Sequence, residues 1–540
     1  MANEQESIQP TEKKQPRQWD ALTVAFPLAF IAVGFACRLL VPSMEIARFF
    51  PDDSFFYIKT AGNIAAGKGS TFDGINPTNG YHPLYMLWLV GVSLVKPLRG
   101  FDGVVTVFIL DIIVTAAAFP IISIFLKRIG AGIETRLAAL TACAGCVGFN
   151  DFGIEARLLL PLAWLFALRI VDLDAEVRPR EIVVGLLGML VCLARLDAVA
   201  FVGSLAFCAA FHALLPPQRK KLTDAAKRFV FLFGPAFAGL ALFAAFNDTV
   251  YGRPATVSAW LKSGWPGTLA TGWLATVGVG VHARFLLCAA PAIVYAAILK
   301  WRYRSHWLRP WDAPASRPEI TIASLCCYNV AYLCIILLLS THGTPGWYFS
   351  LALTTSIVIL AALAESVAFP MMNSLPQRLP AIARTGMVVV SLVFGVVFVA
   401  DKLQRESFQP GSIAMGLWMR DNLPPDAVIY QVDSCGNVAY FSERSVINGD
   451  GLINGWEYQD YARSGRLIEY LRKTRAQYIV WDEFKGEEHI VIPVVLWNIP
   501  DLEMSFSAEP ERIIRFGKYA LIKPELSSIR VTTPPCRADH

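Results

Sequence analysis

The chain has 540 residues, 55% of them hydrophobic, with a mean hydropathy of +0.46. That excludes a soluble globule of ordinary composition and indicates an integral membrane protein. The formal net charge of +5 is modest, and the basic residues fall in a few loops rather than along one face, which argues for orientation in a bilayer and against a nucleic-acid partner.

Residues 1–20 are polar and lack a short apolar core with a cleavage site, so no removable signal is read there, and a cytoplasmic tail is expected. Apolar runs follow at roughly 21–42, 104–126, 134–149, 156–171, 181–195, 198–215, 229–247, 284–299, 320–340, 347–368 and 385–401. They predict about eleven spans within a membrane module at 21–401. Basic clusters lie at Lys13, Lys14 and Arg17, at Lys127 and Arg128, at Arg169, Arg178 and Arg180, at 219–228, at 300–309, and at Arg378 and Arg384. Placing all of them inside puts the N-terminus in the cytoplasm, the loop 43–81 outside and everything after Asp401 outside. One of the runs 82–98 and 104–126 must then fail to span. The former is shorter and ends in Lys96-Pro97-Leu98-Arg99, so it is expected to lie as an interfacial helix on the outer leaflet.

From 402 to 540 the chain is less apolar and reads as a small periplasmic α/β domain. Gly416–Leu423 reads as a helix end, Ala427–Val432 and Ala476–Trp481 as short buried strands, and Gly465–Lys473 as an amphipathic helix between them. Nine of the eleven cysteines lie in or beside apolar runs. Cys143 and Cys146 have CxxC spacing, but on an apolar helix, where packing is the better reading. Cys435 and Cys536 are the cysteines of the polar tail, and an oxidising compartment would pair them.

The segment Phe49–Tyr85, FFPDDSFFYIKTAGNIAAGKGSTFDGINPTNGYHPLY, is the polar, glycine-rich exception between two apolar stretches. Its backbone cannot sit in hydrocarbon, so Asp52 and Asp53 belong at a membrane surface. An Asp pair after Pro also suits a first helical turn. The order Asp-Asp, amphipathic helix, glycine turns, then Asn-Gly-Tyr-His-Pro-Leu resembles the first periplasmic loop of the GT-C glycosyltransferases. Those polytopic enzymes use lipid-phosphate sugars and include the protein O-mannosyltransferases, the lipid A aminoarabinose transferases and the mycobacterial arabinofuranosyltransferases.

The resemblance implies an essential carboxylate in this loop. Asp53 is the favoured base, with Asp52 an orienting group or a ligand for a divalent metal, Mg or Mn; no other cofactor is expected. Lys262, after Gly252-Arg253-Pro254 and Ser258, resembles the family's Gly-x-Pro, Ser, Lys stretch and is a candidate for the donor phosphate, though it also suits an ordinary juxtamembrane lysine. Arg195 and Asp197 interrupt a long apolar stretch, either as a second phosphate contact or as a structural ion pair. Glu155, in Gly153-Ile154-Glu155, either supports the site or is a first-turn acid. His82, His342 and Tyr348 are supporting candidates, although Tyr348 and its neighbour Trp347 also suit an interface belt. Asp111 is expected to face the cavity or a partner helix. The charge rule collects the outer groups on the face that holds Asp52 and Asp53.

These readings imply an inverting glycosyltransferase of a bacterial inner membrane. It would move a sugar from a polyprenyl-phosphate donor to a hydroxyl of a glycan, lipid or protein. The rival is a transporter or flippase of lipid-linked saccharide, which should show inverted repeats or interrupted helices in corresponding halves, and neither is legible.

Overall fold

The computed structural model describes residues 19–532 except 150, 174–179, 216–219, 265–278, 303–316, 341–345, 373–375, 377, 405–409, 482–488, 495–501, 508–511, 517–518 and 525–528. Each of the eleven apolar runs is helical: Ala21–Leu40, Gly100–Ala116 continued by Ala118–Arg128, Ile133–Val147, Ala156–Val171, Glu181–Ala194, Val199–His212, Leu222–Tyr251, Val279–Arg302, Arg317–Leu339, Ser350–Leu363 and Arg378–Gln404. Among the described residues, six helical rods are long and apolar enough to cross a bilayer unaided. The chain is a multi-pass membrane protein.

Burial separates interior helices from lipid-facing ones. Ala156–Val171 is buried around most of its circumference, including Trp164 and Phe166, as a helix apolar on all sides must be. Leu222–Tyr251 exposes Phe237, Leu242, Phe246 and Val250. At the opposite end of the bundle from the first loop, Asp20 caps Ala21–Leu40 by accepting from the Thr23 amide, and it holds Arg136 at 2.7 Å and Lys127 at 3.3 Å. The helix Pro83–Val95 is about 20 Å long, short of the roughly 30 Å hydrocarbon core. It buries Tyr85, Met86 and Leu89 against the protein and exposes Leu87, Leu94 and Val95.

The tail forms two sheets. In the larger the strand order is β2 (Ser445–Asn448), β1 (Val428–Gln431), β3 (Tyr478–Trp481), β7 (Tyr519–Ile522), β6 (Ile513–Phe516), with β1 parallel to both neighbours and β7 antiparallel to both of its own. β1 is buried on both faces, which parallel strands require. Val428 and Tyr430 pack toward helices Trp456–Arg463 and Leu467–Lys473, and Ile429 packs toward Pro410–Asn422 and Gly436–Ser442. The smaller sheet pairs β5 (Leu502–Ser507) with β4 (His489–Val494) and β8 (Arg530–Thr532).

Cys435 does not sit at the surface awaiting a partner. It is a free thiol in the interior of the tail and accepts from Asn448 Nδ2 at 3.2 Å. Cys536, its expected partner, lies outside the described residues.

The tail docks directly on the first loop. The loop helix Asp52–Ala65 packs Phe55 against the rings of Tyr440 and Phe441. Lys59 Nζ donates to the carbonyls of Ala439 at 2.7 Å and Arg444 at 2.6 Å, and Tyr440 donates its hydroxyl to Gly100 O. Two glycines permit the approach. A Cβ on Gly436 would stand 2.2 Å from Asp52 O, and one on Gly80 the same distance from Leu452 O.

Candidate functional site

A cavity of about 280 Å3 opens where the first loop, the stretch after Leu222–Tyr251, the hairpin tip at 195–197, the helix Arg317–Leu339 and the tail converge. Its lining brings together Asp53, His82, Glu155, Arg195, Asp197, Lys262 and Tyr348, seven residues drawn from positions far apart in the chain. His342 lies outside the described residues.

The first loop positions the other walls. Asn79 is buried. Its Nδ2 donates to Asn247 Oδ1 and to Ala255 O, each at 3.2 Å, and its Oδ1 accepts from the Val257 amide at 3.0 Å. That fixes the start of the short helix Val257–Lys262, itself capped by the Thr256 hydroxyl. Lys262 Nζ then stands 3.9 Å from Asp53 Oδ2 and donates to the Tyr348 hydroxyl at 3.4 Å. His82 Nδ1 accepts from the Leu196 amide at 3.2 Å, so in the neutral ring the proton is on Nε2, which faces Glu155 Oε1 at 3.9 Å.

Arg195 is buried and heavily engaged. It makes a two-pronged contact with Asp197, Nε to Oδ1 at 2.8 Å and the terminal nitrogen to Oδ2 at 3.0 Å, the strongest arrangement for a guanidinium and a carboxylate. Its other terminal nitrogen donates to Glu155 Oε1 and to Trp347 O, both at 3.3 Å, and its face lies 4.2 Å from the centre of the Tyr348 ring. Asp197 Oδ2 also accepts from the Tyr332 hydroxyl. The ion pair therefore orders the hairpin tip, and the cation nearest Asp53 is Lys262.

Loss of hydration in the cavity raises the Asp53 carboxyl above its ordinary value; the Lys262 charge pulls it back down, while Glu155 and Asp433 push it further up. Burial likewise lowers the His82 imidazole. Lys262 is lifted well above an ordinary lysine: burial opposes its charge, but Tyr348 and Asp53 outweigh that. A carboxylate raised in this way and a lysine held charged make a base beside a cation.

Asp52 turns the other way. Its Oδ2 accepts from the Gly436 amide at 2.8 Å and its Oδ1 from Asn437 at 2.9 Å, which clamps the tail helix Gly436–Ser442 to the first loop. Burial pushes this carboxyl up to about 7 against those two hydrogen bonds. Asp52 does not line the cavity, and among the described residues no three of His, Cys, Asp and Glu form a group suited to an ion. Asp52, read above as an orienting group or a metal ligand, takes one backbone donor on each oxygen, which leaves a lone pair on each. Asp111 also faces protein rather than the cavity, accepting from the Gly153 amide at 2.6 Å.

Several lining groups were not legible from the sequence. Tyr57 accepts from the His82 amide, and Tyr332 lies in an apolar helix whose pattern gives it no prominence. Leu452 and Ile453 close the cavity from the tail. They stand in the Gly-rich turn GDGLING at 449–455, whose composition suits a loop but carries no sign of where that loop lies. The wall formed by Ile335, Ile336 and Leu339 is apolar.

A family model described as Domain of unknown function (DUF8728) matches residues 400–523. Comparison with curated proteins finds no match. Among solved structures, the chain is similar to ArnT from Cupriavidus metallidurans bound to undecaprenyl phosphate, with 11% sequence identity and a TM-score of 0.55. The match covers 93% of this chain and 98% of that one. The chain has the GT-C fold. The apo structure of the same ArnT matches over the same shares with a TM-score of 0.50 and 11% identity. Coverage of nearly the whole of both chains means that the GT-C likeness takes in the tail as well as the membrane module.

Proposed function

We propose that this protein is a glycosyltransferase that takes a sugar from a polyprenyl-phosphate donor and transfers it to a hydroxyl at the outer face of a bacterial inner membrane. The observation that carries the reading is Asp53 on the cavity wall 3.9 Å from Lys262, beside the apolar wall of Ile335, Ile336 and Leu339. The GT-C fold, and the undecaprenyl phosphate named with one of the similar ArnT structures, support the same donor class.

In the proposed reaction Asp53 accepts the proton of the acceptor hydroxyl as its oxygen attacks the anomeric carbon, and the bond from that carbon to the phosphate oxygen breaks. The leaving polyprenyl phosphate gains a negative charge beside Lys262. Attack opposite the departing oxygen inverts the anomeric centre. Arg195, held by Asp197 and Glu155, keeps the hairpin tip and Tyr348 in place, and the lipid chain lies along the apolar wall. No step is routed through a metal. With the basic clusters inside, the C-terminal domain and the cavity lie outside, about eleven segments cross and Pro83–Val95 lies on the outer surface.

The test is transfer from a panel of radiolabelled polyprenyl-phosphate sugars by purified protein supplied with membrane extract. Incorporation from at least one donor, lost in Asp53→Asn, is expected. No turnover of any donor, together with no binding of undecaprenyl phosphate, would overturn the reading.

A further inference from the structure

The turn 449–455 joins β2 to the tail helix Trp456–Arg463 and reaches the cavity wall. It is braced from within. The Leu452 amide donates to Asp450 Oδ1 at 2.8 Å, and the Ile453 amide donates to Asn448 Oδ1 at 3.3 Å. Asn454 Nδ2 donates to Asn448 O at 3.0 Å, while Asn454 Oδ1 accepts from the Gly455 amide at 2.8 Å and from the Tyr470 hydroxyl at 3.3 Å. Asn448, Asp450 and Asn454 are all buried, and a satisfied buried network stiffens what it ties together. The turn therefore moves with the larger sheet as one piece.

Two consecutive residues of this turn pack into separate clusters. Leu452 is buried with Val257, Leu261 and Trp456, and Leu261 directly precedes Lys262. Ile453 is buried with Phe56 and Phe72, whose rings meet edge to face at 5.2 Å. Phe56 stands three residues after Asp53 on the helix Asp52–Ala65, so the two share a face, and both line the cavity. One tail residue thus packs beside the cation and the next beside the base. Asn79 fixes the start of the helix Val257–Lys262, whereas Leu452 packs at the end that carries Lys262. The approach is close, since a Cβ on Gly455 would stand 2.7 Å from Pro77 O in the first loop.

We infer that Leu452 and Ile453 are positioning residues for the transfer reaction: wedged between the element that carries Asp53 and the element that carries Lys262, they set the separation of base and cation. The inference rests on the proposed function. It makes the tail a working part of the site, needed for turnover and not for holding the donor. Misplacing a reacting group by about 1 Å costs up to about a hundred-fold in rate, so a separation of 3.9 Å has to be held from both sides. The donor lipid, by contrast, lies along Ile335, Ile336 and Leu339 of the membrane module, and its binding does not depend on where Lys262 stands relative to Asp53.

The test is a double-mutant cycle on the full chain in liposomes, with a labelled polyprenyl-phosphate sugar and membrane extract that support transfer by wild type. Leu452→Ala/Ile453→Ala should lower kcat about ten- to a hundred-fold, with the KM for the donor unchanged and undecaprenyl phosphate still retained in native mass spectrometry. Leu452→Met, which keeps the volume, should stay close to wild type. In a Lys262→Met background the same alanine pair should cost much less than it does in wild type, because the separation it disturbs no longer matters. A residue that merely stabilises the tail, or one that touches the acceptor, would instead give losses that multiply. Multiplied losses, a raised donor KM, or an unchanged kcat in the alanine pair would each overturn the inference. If the alanine pair melts early, Leu452→Val, which trims one methylene, takes its place in the same cycle. Absence of transfer by wild type from every donor would remove the proposed function and this inference together, whereas multiplied losses in a wild type that does transfer would remove this inference alone.

Discussion

Lys262→Met removes the cation nearest Asp53 while keeping much of the side-chain length. Two unit charges at their separation of 3.9 Å interact by about 4 kcal/mol at an effective dielectric of about 20. The side chains are 21% and 31% exposed, so water screens part of this, and about 2 to 3 kcal/mol is a fair measure of what Lys262 supplies to a charge at similar range. A sugar phosphodiester carries one negative charge, and its second develops as the bond to the anomeric carbon breaks. The loss therefore falls more on kcat than on KM and corresponds to a rate lower by about thirty- to one-hundred-and-fifty-fold. A second effect has a definite sign. The lysine pulls the Asp53 carboxyl down against burial, so without it the carboxyl rises further and the base is free only at higher pH. The acidic limb of the rate profile should move to the alkaline side, and raising the pH should restore part of the lost rate. The assay is transfer from a labelled donor by protein in liposomes across a pH series, with Lys262→Arg retaining more activity than Lys262→Met. A Lys262→Met protein with unchanged kcat and an unshifted limb would refute the reasoning.

Asp53→Asn should lower turnover by about a hundred-fold or more with the melting temperature preserved; Asp52→Asn should instead loosen the tail, which limited proteolysis would detect, and equal turnover in Asp53→Asn and wild type would remove the base. The Asp52 carboxyl, at about 7 in the folded protein against 3.8 as its reference, favours the folded state most below the lower value. That contribution should fade as the pH rises toward 7 and then level off, and Asp52→Asn should flatten this part of a melting-temperature profile. Asn79→Ala leaves the Val257 amide and the Asn247 carboxamide oxygen without a buried partner, at a cost of about 1 to 3 kcal/mol. Since Asn79 touches no reacting atom, the expected result is a lower melting temperature with a raised KM, and a thermal scan beside donor titrations would show it.

The membrane part of the fold was legible because hydrocarbon imposes one rule on every segment: a long apolar run must hide its backbone in a helix. All eleven runs are helical, and the charge asymmetry of the loops gathered Asp53, Glu155, Arg195, Asp197 and Lys262 on one face before any contact was known. Which helices meet lipid was not legible, since Ala156–Val171 and Leu222–Tyr251 read alike as apolar runs although one is interior and the other exposed. The difference lies in neighbours, and packing carries no period in one sequence. Asp52 and Asp53 show the same limit at the scale of a single turn. Adjacent residues on a helix point about 100° apart, so one faces the cavity and its neighbour faces the tail, and residue type alone cannot say which. In the tail, β1 and β3 fall within the two runs read as buried strands and Leu467–Lys473 within the run read as a helix, whereas β2, four residues long between polar neighbours, carries too short a pattern to be read.

The charged groups of the cavity are largely engaged with one another. Among the described lining residues Asp53, Glu155 and Asp197 face Arg195 and Lys262, and Arg195 is already engaged by both Asp197 and Glu155. A donor phosphate entering this field meets carboxylates that repel it, and Lys262 is shared with Asp53. Electrostatics so balanced bind the ground state weakly and reward the charge that appears only as the bond breaks, which is the arrangement that favours turnover over tight binding. Affinity for the donor must then come from elsewhere, and Ile335, Ile336 and Leu339 are suited to supply it at about 0.8 kcal/mol for each methylene buried. Donors with shortened prenyl chains should accordingly show KM rising in steps while kcat changes little. A steep loss of kcat with chain length would mean instead that the lipid is read during the chemical step.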